Sequence, residues 1–528
     1  MPARLVAAAA GLAAGTTFGV WLGRALSGDV TRLRLRLRIA SALSRLGGTQ
    51  LIANVRVPKA LLPEGAADGC ITDAEGLVAC DVSIQHGRIT SVVPAADRGA
   101  TGTSLLLPCW VDCHTHLVKT HTVPRNRNPT GSINGALACE LDDQPRWCVE
   151  DVSRRMGFAL RTAYHHGTRA IRSHLDGTNS DDAKLRDAVY AAFDAARTEW
   201  APRGLELQGV ANLYLPLYAD EVLARRHVEQ AAAHEGVVLG AYCGNVATTP
   251  SAETERAFDA LFAHARVAGL AVDLHIDETN DPQCCALRPL IASLRRARAS
   301  GYSLPVVLGH CCSLGLQPTA ARDEIINGLA SLQPVTVVCN PHTNLGLQDR
   351  RGSAPPHCAA VDEMVARTPA WRGLAPVQEL RAGGVPVAAA SDNVRDWWHP
   401  YGDYDGLSVW QHAMTLAQLD TAPSEGDWAC LVTDGAARAM ALNGAACHKA
   451  FARGARADLI LFPSARNLSE LFSRPQADRI VLRAGVPQSS ALPAYTELDD
   501  LVAEPTRRSG PGGQVQRGAT KQVIMNEN

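Results

Sequence analysis

Eight short apolar runs recur along the chain with amphipathic intervals between them, and this alternation restricts the fold more than any other feature. The runs are LLLPCWVDCHTH, TRAIRSHLD, LELQGVANL, GVVLGAYC, AVDLHIDE, LPVVLGH, PVTVVCNP and VPVAAASDN. Intervals such as 181–200 and 251–270 carry apolar residues at i, i+3 and i+4, the spacing of one helix face. Strand followed by helix, repeated, builds a parallel sheet, and eight repeats favour a closed barrel over an open sheet. The expected fold is therefore α/β, a (β/α)8 TIM-type barrel over residues 108–450.

Further strand-like segments flank the barrel. LIANVRV, DVSIQHGRITSVVP and TSLLLP precede it, and ADLILF (457–462) and RIVLRAGVP (479–487) follow it. They are expected to pair into a small flanking β-sandwich from residues 49–107 plus 451–490. Residues 1–48 read as a leader outside the barrel: an uncharged Ala/Gly/Leu stretch from Leu5 to Gly23, then Arg32, Arg34, Arg36 and Arg38 in alternation. A targeting peptide, a single membrane anchor through residues 5–26 and a disordered leader all fit this pattern. The expected location is an organelle or the cytoplasm rather than the exterior, with membrane anchoring by the leader as an alternative. The Gly-rich polar tail, 505–528, is expected to be disordered.

Composition narrows the function classes. A formal net charge of -2 gives no reason to expect nucleic acid as a partner, and a small molecule is expected instead. A homo-oligomer stays open. Fifteen cysteines without CxxC spacing suggest reduced thiols. Cys113, beside His114, is expected to face outward because successive strand residues alternate.

The runs end in polar side chains, where a barrel places its active site. His114 and His116 are one residue apart, so on a strand they share a face and can bind one ion. His275 closes the fifth run. Asp392 follows Ala388, Ala389 and Ala390, and a carboxylate in apolar surroundings needs a cation or several donors; the competing reading is a helix N-cap. Glu278, three residues after His275, has to reach the site from a loop, where it suits proton shuttling. Asp277 is the competing acid and reads as structural. His310 at the end of the sixth run is expected to orient water or substrate, with metal ligation or a structural role as alternatives. His174 and Lys119 are weaker candidates, as readily braces as catalysts. His114, His116, His275 and Asp392 together suit one divalent metal ion, Zn2+ or Fe2+. Such an ion brings the pKa of a bound water to about 7. Asp392 and His310 can take that proton, the hydroxide attacks a C=N or C=O carbon, and Glu278 protonates the ring nitrogen.

These residues resemble the amidohydrolase superfamily, and within it the cytosine deaminase branch, from about Leu51 to Pro487. HTHL, HIDE, GHCC, CNPHTNLGLQDR, SDNVRDWWHPYG and GARADLILF occur in order. The resemblance implies a barrel with a flanking β-sandwich and a mononuclear metal held by His114, His116, His275 and Asp392. It makes Glu278 the proton shuttle, places His310 beside the attacking water, and puts Trp398 in the substrate pocket, with packing under a loop as the alternative for that ring. Three departures bear on the substrate. Leu217, in LYLPLY, stands where cytosine-specific enzymes carry a glutamine that reads the pyrimidine edge; Asn393 replaces an acid after the metal aspartate; and the leader has no counterpart. Both Leu217 and Asn393 are thus expected among the substrate contacts. The fourth run contains no lysine, which opposes a two-metal centre built on a carboxylated lysine. The expected function is a metal-dependent hydrolytic deaminase of a cyclic amidine or aminated nitrogen heterocycle, cytosine-like, aminotriazine-like or creatinine-like, releasing ammonia. Cleavage of a cyclic amide or N-alkyl bond, and a non-catalytic barrel scaffold, are the alternatives.

Overall fold

The structure is a computed structural model that describes residues 17–20, 30–95, 104–247, 251–350, 368–442 and 449–502. Eight parallel strands form the barrel: β1 (Trp110–Thr115), β2 (Thr168–His174), β3 (Glu206–Tyr214), β4 (Val237–Tyr242), β5 (Val272–Ile276), β6 (Val306–His310), β7 (Val335–Cys339) and β8 (Val387–Ala389). Each pairs with the next in chain order. A bridge between Thr115 and Asp392 brings the end of β8 back to β1. Each of the eight apolar runs contributes one of these strands. The first run divides, however: Leu105–Pro108 pairs antiparallel with Leu459–Phe462 in the flanking sheet, and only the residues after Cys109 enter the barrel.

The helical intervals also form as their patterns require. Asp182 caps Ala183–Trp200 by accepting from the Lys184 amide, and the buried face presents Leu185, Val189 and Phe193. Ser251 caps Ala252–Ala268, and Gly269 ends it at φ 68°, a left-handed position that glycine adopts without a Cβ clash. The flanking sheet takes strands from before and after the barrel, so the described segments on both sides of the barrel are tied into one layer. Helix Val30–Arg45 buries Leu33, Leu37 and Ala40 and packs on that sheet, with Ser44 Oγ donating to the Ile84 carbonyl at 3.1 Å. Folding onto the sheet therefore begins within the segment read as leader, and Arg32, Arg36 and Arg38 lie on the exposed side of a helix rather than along an extended alternation. Most of Leu5 to Gly23 and all of 505–528 lie outside the described residues. Among the described residues no helix is long and apolar enough to cross a membrane.

Inside the barrel, Val111, Cys113, Ala170, Val307, Val338 and Ala388 form an apolar cluster with Ala436, Ala437 and Met440. Cys113 thus belongs to this cluster and does not face outward. The pairing of β1 with β2 is irregular between Asp112 and Thr115, and this interrupts the strict alternation on which the outward placement depended. A buried polar column runs beside the cluster. Gln208 donates to the Met440 carbonyl at 3.0 Å and accepts from Arg172, whose Nη1 lies 2.9 Å from Asp273.

Helix Val149–His166 braces the loop that follows β1. Arg155 donates to the carbonyl oxygens of Val118 and Thr120, and its Nε lies 3.0 Å from Asp151. Asp151 also pairs with Arg125, which reaches Asp143 at 2.8 Å. Burial pushes the Asp151 carboxyl up, but the two guanidiniums more than offset this and hold it below the usual carboxylate range. Removing one partner of a buried charge network costs about 3–5 kcal/mol. Asp151→Asn should therefore lower stability by about 3 kcal/mol at neutral pH, read as a lower urea midpoint. A carboxyl with a depressed folded pKa stabilises above its unfolded pKa and loses that contribution as pH falls through the folded one. The difference from wild type should shrink below about pH 4.

Candidate metal centre and active site

The C-terminal ends of the strands bring together the histidines and the aspartate picked out by their positions in the runs. His114 Nε2 lies 3.6 Å and His116 Nε2 3.3 Å from Asp392 Oδ1. His275 Nε2 lies 3.3 Å from His116 Nε2. His114, His116 and His275 form one candidate ligand group, and His114, His310 and Asp392 form another that shares His114. Gly309 on β6 makes room for this approach, because a Cβ there would stand 2.7 Å from His114 Cε1.

The chemistry of these atoms fits a cation. Both oxygens of Asp392 and Nε2 of His114 are buried without an aligned hydrogen bond, and a buried carboxylate in that condition is costly unless a positive charge accompanies it. The far sides of the rings are held by other groups. His116 Nδ1 lies 3.1 and 3.0 Å from the two oxygens of Asp176, which assigns the proton to Nδ1 and leaves the Nε2 lone pair facing the cluster. His114 Nδ1 lies 3.1 Å from His174 Nε2, and Asn212 flanks the other nitrogen of His174. Burial, followed by the neighbouring imidazoles, pulls His114 and His275 well below the ordinary histidine range and keeps both rings neutral, the form that ligates. For His116 burial acts in the same direction, but Asp176 and Asp392 outweigh it and hold the ring up at about 9. A cation between the rings competes with that proton.

Glu278 reaches the cluster as a loop residue. Asp277 before it adopts φ 53°, which breaks the strand's alternation, and its carboxylate accepts from the amides of Ala286 (2.6 Å) and Leu287 (3.3 Å). Asp277 is thus committed to the backbone, and Glu278 is the free acid. Glu278 Oε1 lies 3.4 Å from His310 Nδ1. Burial raises its pKa against the pull of His310, with Asp392 adding to the rise, so it can retain a proton for transfer. Asn344 and Asn340 flank His310 Nδ1 at 3.0 and 3.4 Å, while His310 Nε2 is buried without a partner.

Asp392 caps no helix: the next helix, Gly406–Leu416, is capped by Asp405. Its position is set by its backbone, with Thr115 Oγ1 donating to its carbonyl at 2.7 Å. The expected substrate contacts fare differently. Leu217 sits in the short turn Leu215–Ala219, 36% exposed, and is not among the clustered residues. Asn393 is buried, with its side-chain amide donating to Asp396 at 2.8 Å, so it braces the loop instead of offering that donor to a substrate. Trp398 is half-buried, with the Lys119 ammonium 3.7 Å above its ring.

Several residues around the site carry no role in the sequence reading. Asp176 ends β2's run in SHLD and was findable by the same polar-strand-end logic as His174. Glu140, on helix Ile133–Asp143, had no comparable signal.

Residues 162–487 match the Amidohydrolase family. A pterin deaminase of Rhizobium rhizogenes is 35% identical over 441 residues, covering 81% of this chain and 92% of that protein. An N-isopropylammelide isopropyl amidohydrolase of a Pseudomonas species is 23% identical over 310 residues, 57% of this chain and 66% of that protein. The fold matches that of a 5-methylcytosine deaminase from Klebsiella pneumoniae with TM-score 0.63 at 22% identity, covering 84% of this chain and 98% of the other. The chain belongs to the amidohydrolase family and is a hydrolase acting on carbon–nitrogen bonds.

His174 orients His114 from behind. His174→Ala should weaken metal binding about 10- to 100-fold, measured by competition with a chromogenic chelator.

Proposed function

We propose that this protein is a metal-dependent hydrolytic deaminase whose substrate is a fused 2-amino-4-oxopyrimidine of the pterin type, with ammonia and the 2-oxo heterocycle as products. The convergence of His114, His116, His275 and Asp392, with Glu278 and His310 at its edge, carries the reaction class. The name of the 35% identical relative supports the substrate class.

The three imidazoles and Asp392 would hold a single divalent ion, Zn2+ or Fe2+, and β4 contains no lysine for a second. When bound, that ion supplies the Lewis acidity that makes water a nucleophile near neutral pH. His310 Nε2 accepts or donates a hydrogen bond to the attacking water, and the Asp392 carboxylate takes its proton. As the water oxygen bonds to C2, the C2=N electron pair moves onto the ring nitrogen, which takes the proton from Glu278. The proton held at Asp392 then passes to the exocyclic amine, the C2–N bond breaks and ammonia leaves, and the remaining hydroxyl proton returns to Glu278 as C2 keeps the oxygen as a carbonyl.

Elemental analysis of the purified protein should find a single metal ion per chain that is lost in His275→Ala. The same protein should release ammonia from pterin. Glu278→Gln should keep the metal and lower kcat by about 10²- to 10⁴-fold. A fully metallated protein that releases ammonia from no aminated heterocycle would overturn the deaminase reading, and release of an alkylamine instead would turn it toward N-alkyl cleavage.

A further inference from the structure

We propose that Lys119 and Glu140 are specificity-determining residues that read the cis-amide edge of the substrate, the N3–H and C4=O of a 2-amino-4-oxopyrimidine ring. This rests on the deaminase reading above and adds what recognises the ring.

Of the two side chains expected to meet the heterocycle, Leu217 has no polar group to give, and one N–H of the Asn393 amide is committed to Asp396. An amide edge carried into a dry pocket is costly unless a donor and an acceptor meet it. Lys119 and Glu140 provide that pair. They are 4% and 7% exposed, opposite in charge, and Lys119 Nζ lies 3.7 Å from Glu140 Oε2. That separation exceeds a hydrogen bond, so the ammonium and carboxylate stand side by side as an ion pair with no hydrogen bond between them. A cis-amide presents one donor and one acceptor on adjacent atoms. A carboxylate beside an ammonium is its complement: Glu140 Oε2 accepts from N3–H while Lys119 Nζ donates to the C4 oxygen.

Both groups are held in place from behind. Lys119 Nζ lies 3.1 Å from Asp176 Oδ1, and Asp176 is the carboxylate that grips the metal-facing His116. The same ammonium covers the Trp398 ring. Glu140 Oε1 accepts from Gln144 Nε2 at 3.2 Å, which leaves Oε2 toward Lys119. The helix that carries Glu140 is fixed at its start, where Ser132 accepts from the Gly135 amide. A reader built in this way is pre-organised, and it ties ring recognition to the residues that orient the metal ligand. With N3 and O4 engaged, N1 is the ring nitrogen left for Glu278.

The test compares pterin with 2,4-diaminopteridine, in which N3 is an acceptor and the 4-substituent a donor, the inverse pattern. For loss of the 2-amino group, wild-type holoenzyme should prefer pterin by on the order of 10⁴-fold in kcat/KM. Glu140→Gln, whose amide can donate to an unprotonated N3, should narrow that preference to about 10²-fold or less. Lys119→Met should lower kcat/KM on pterin chiefly through KM, and Lys119→Arg, which keeps a donor, should restore most of it. A purely structural ion pair would depress both substrates alike. Metal content and melting temperature are measured on every variant. If Glu140→Gln and Lys119→Met fold and bind metal yet keep the wild-type preference, the proposal is wrong; if Glu140→Gln does not fold, the preference shown by Lys119→Met decides alone. Failure of the underlying functional reading looks different, since wild-type protein itself would then release no ammonia from pterin.

Discussion

The amide of Asp392 donates to the carbonyl of His114, and Thr115 Oγ1 donates back to the Asp392 carbonyl. These two bonds join the last barrel strand to the first, and they lie at the residues that bear the clustered imidazole and carboxylate. Closure of the barrel and assembly of the site are therefore one event: the distance from His114 Nε2 to Asp392 Oδ1 is fixed by a backbone joint, not by side-chain freedom. Ser391 reinforces the joint, its hydroxyl and amide both donating to buried Asp112. A site built on such a joint stays pre-organised while the loops around it vary.

The cost of this arrangement is concentrated where it is needed. Asp277, His310, Cys311 and Asp392 all have positive φ, between 49° and 73°, a conformation uncommon for residues other than glycine. Each lies at a strand end, and each turns the chain so that a side chain leaves the regular alternation of its strand. Beneath them the polar column of His174, Asp273, Arg172 and Gln208 occupies space that apolar layers fill in most barrels of this type. A buried column of this kind is stable only when its members satisfy one another, and it transmits a fixed ring orientation to His114.

Strand-end polarity made much of the site legible in the sequence. His114, His116, His275, His310 and Asp392 each close an apolar run, and the fold turns that one-dimensional regularity into a single cluster. Glu278 was legible as a loop residue because its spacing from His275 excludes the same face. What the sequence concealed has physical reasons. Cys113 lies at an irregular strand pairing, and alternation cannot foresee it. The arginine-rich segment 30–45 shows a polar alternation to the eye but folds as a helix, because Leu33, Leu37 and Ala40 recur at helical spacing and find the flanking sheet. Leu217 and Asn393 were placed by analogy with other chains, and their surroundings here differ. Glu140 lies in a loop-borne helix, where one acid among many has no marker until the fold sets it beside Lys119.

The residues after the flanking sheet return to the barrel in a way that no local pattern indicated. Tyr495 stacks on Phe158 with ring centroids 5.5 Å apart, and the Arg395 guanidinium lies 4.3 Å from its ring. Arg395 also donates to His121 at 3.2 Å, and the Leu501 carbonyl accepts from Arg125 and Arg146. This segment thus touches the loop after β1, which carries Lys119, and the loop after β8, which carries Trp398. Those two loops meet where the Lys119 ammonium covers the Trp398 ring. Contacts spread over three sequence-distant segments hold each loop more firmly than its own short backbone could, because the conformational entropy of ordering it is offset at several points at once. The arrangement of these two loops is therefore a tertiary construction, and it depends on residues 495–501 as much as on the barrel.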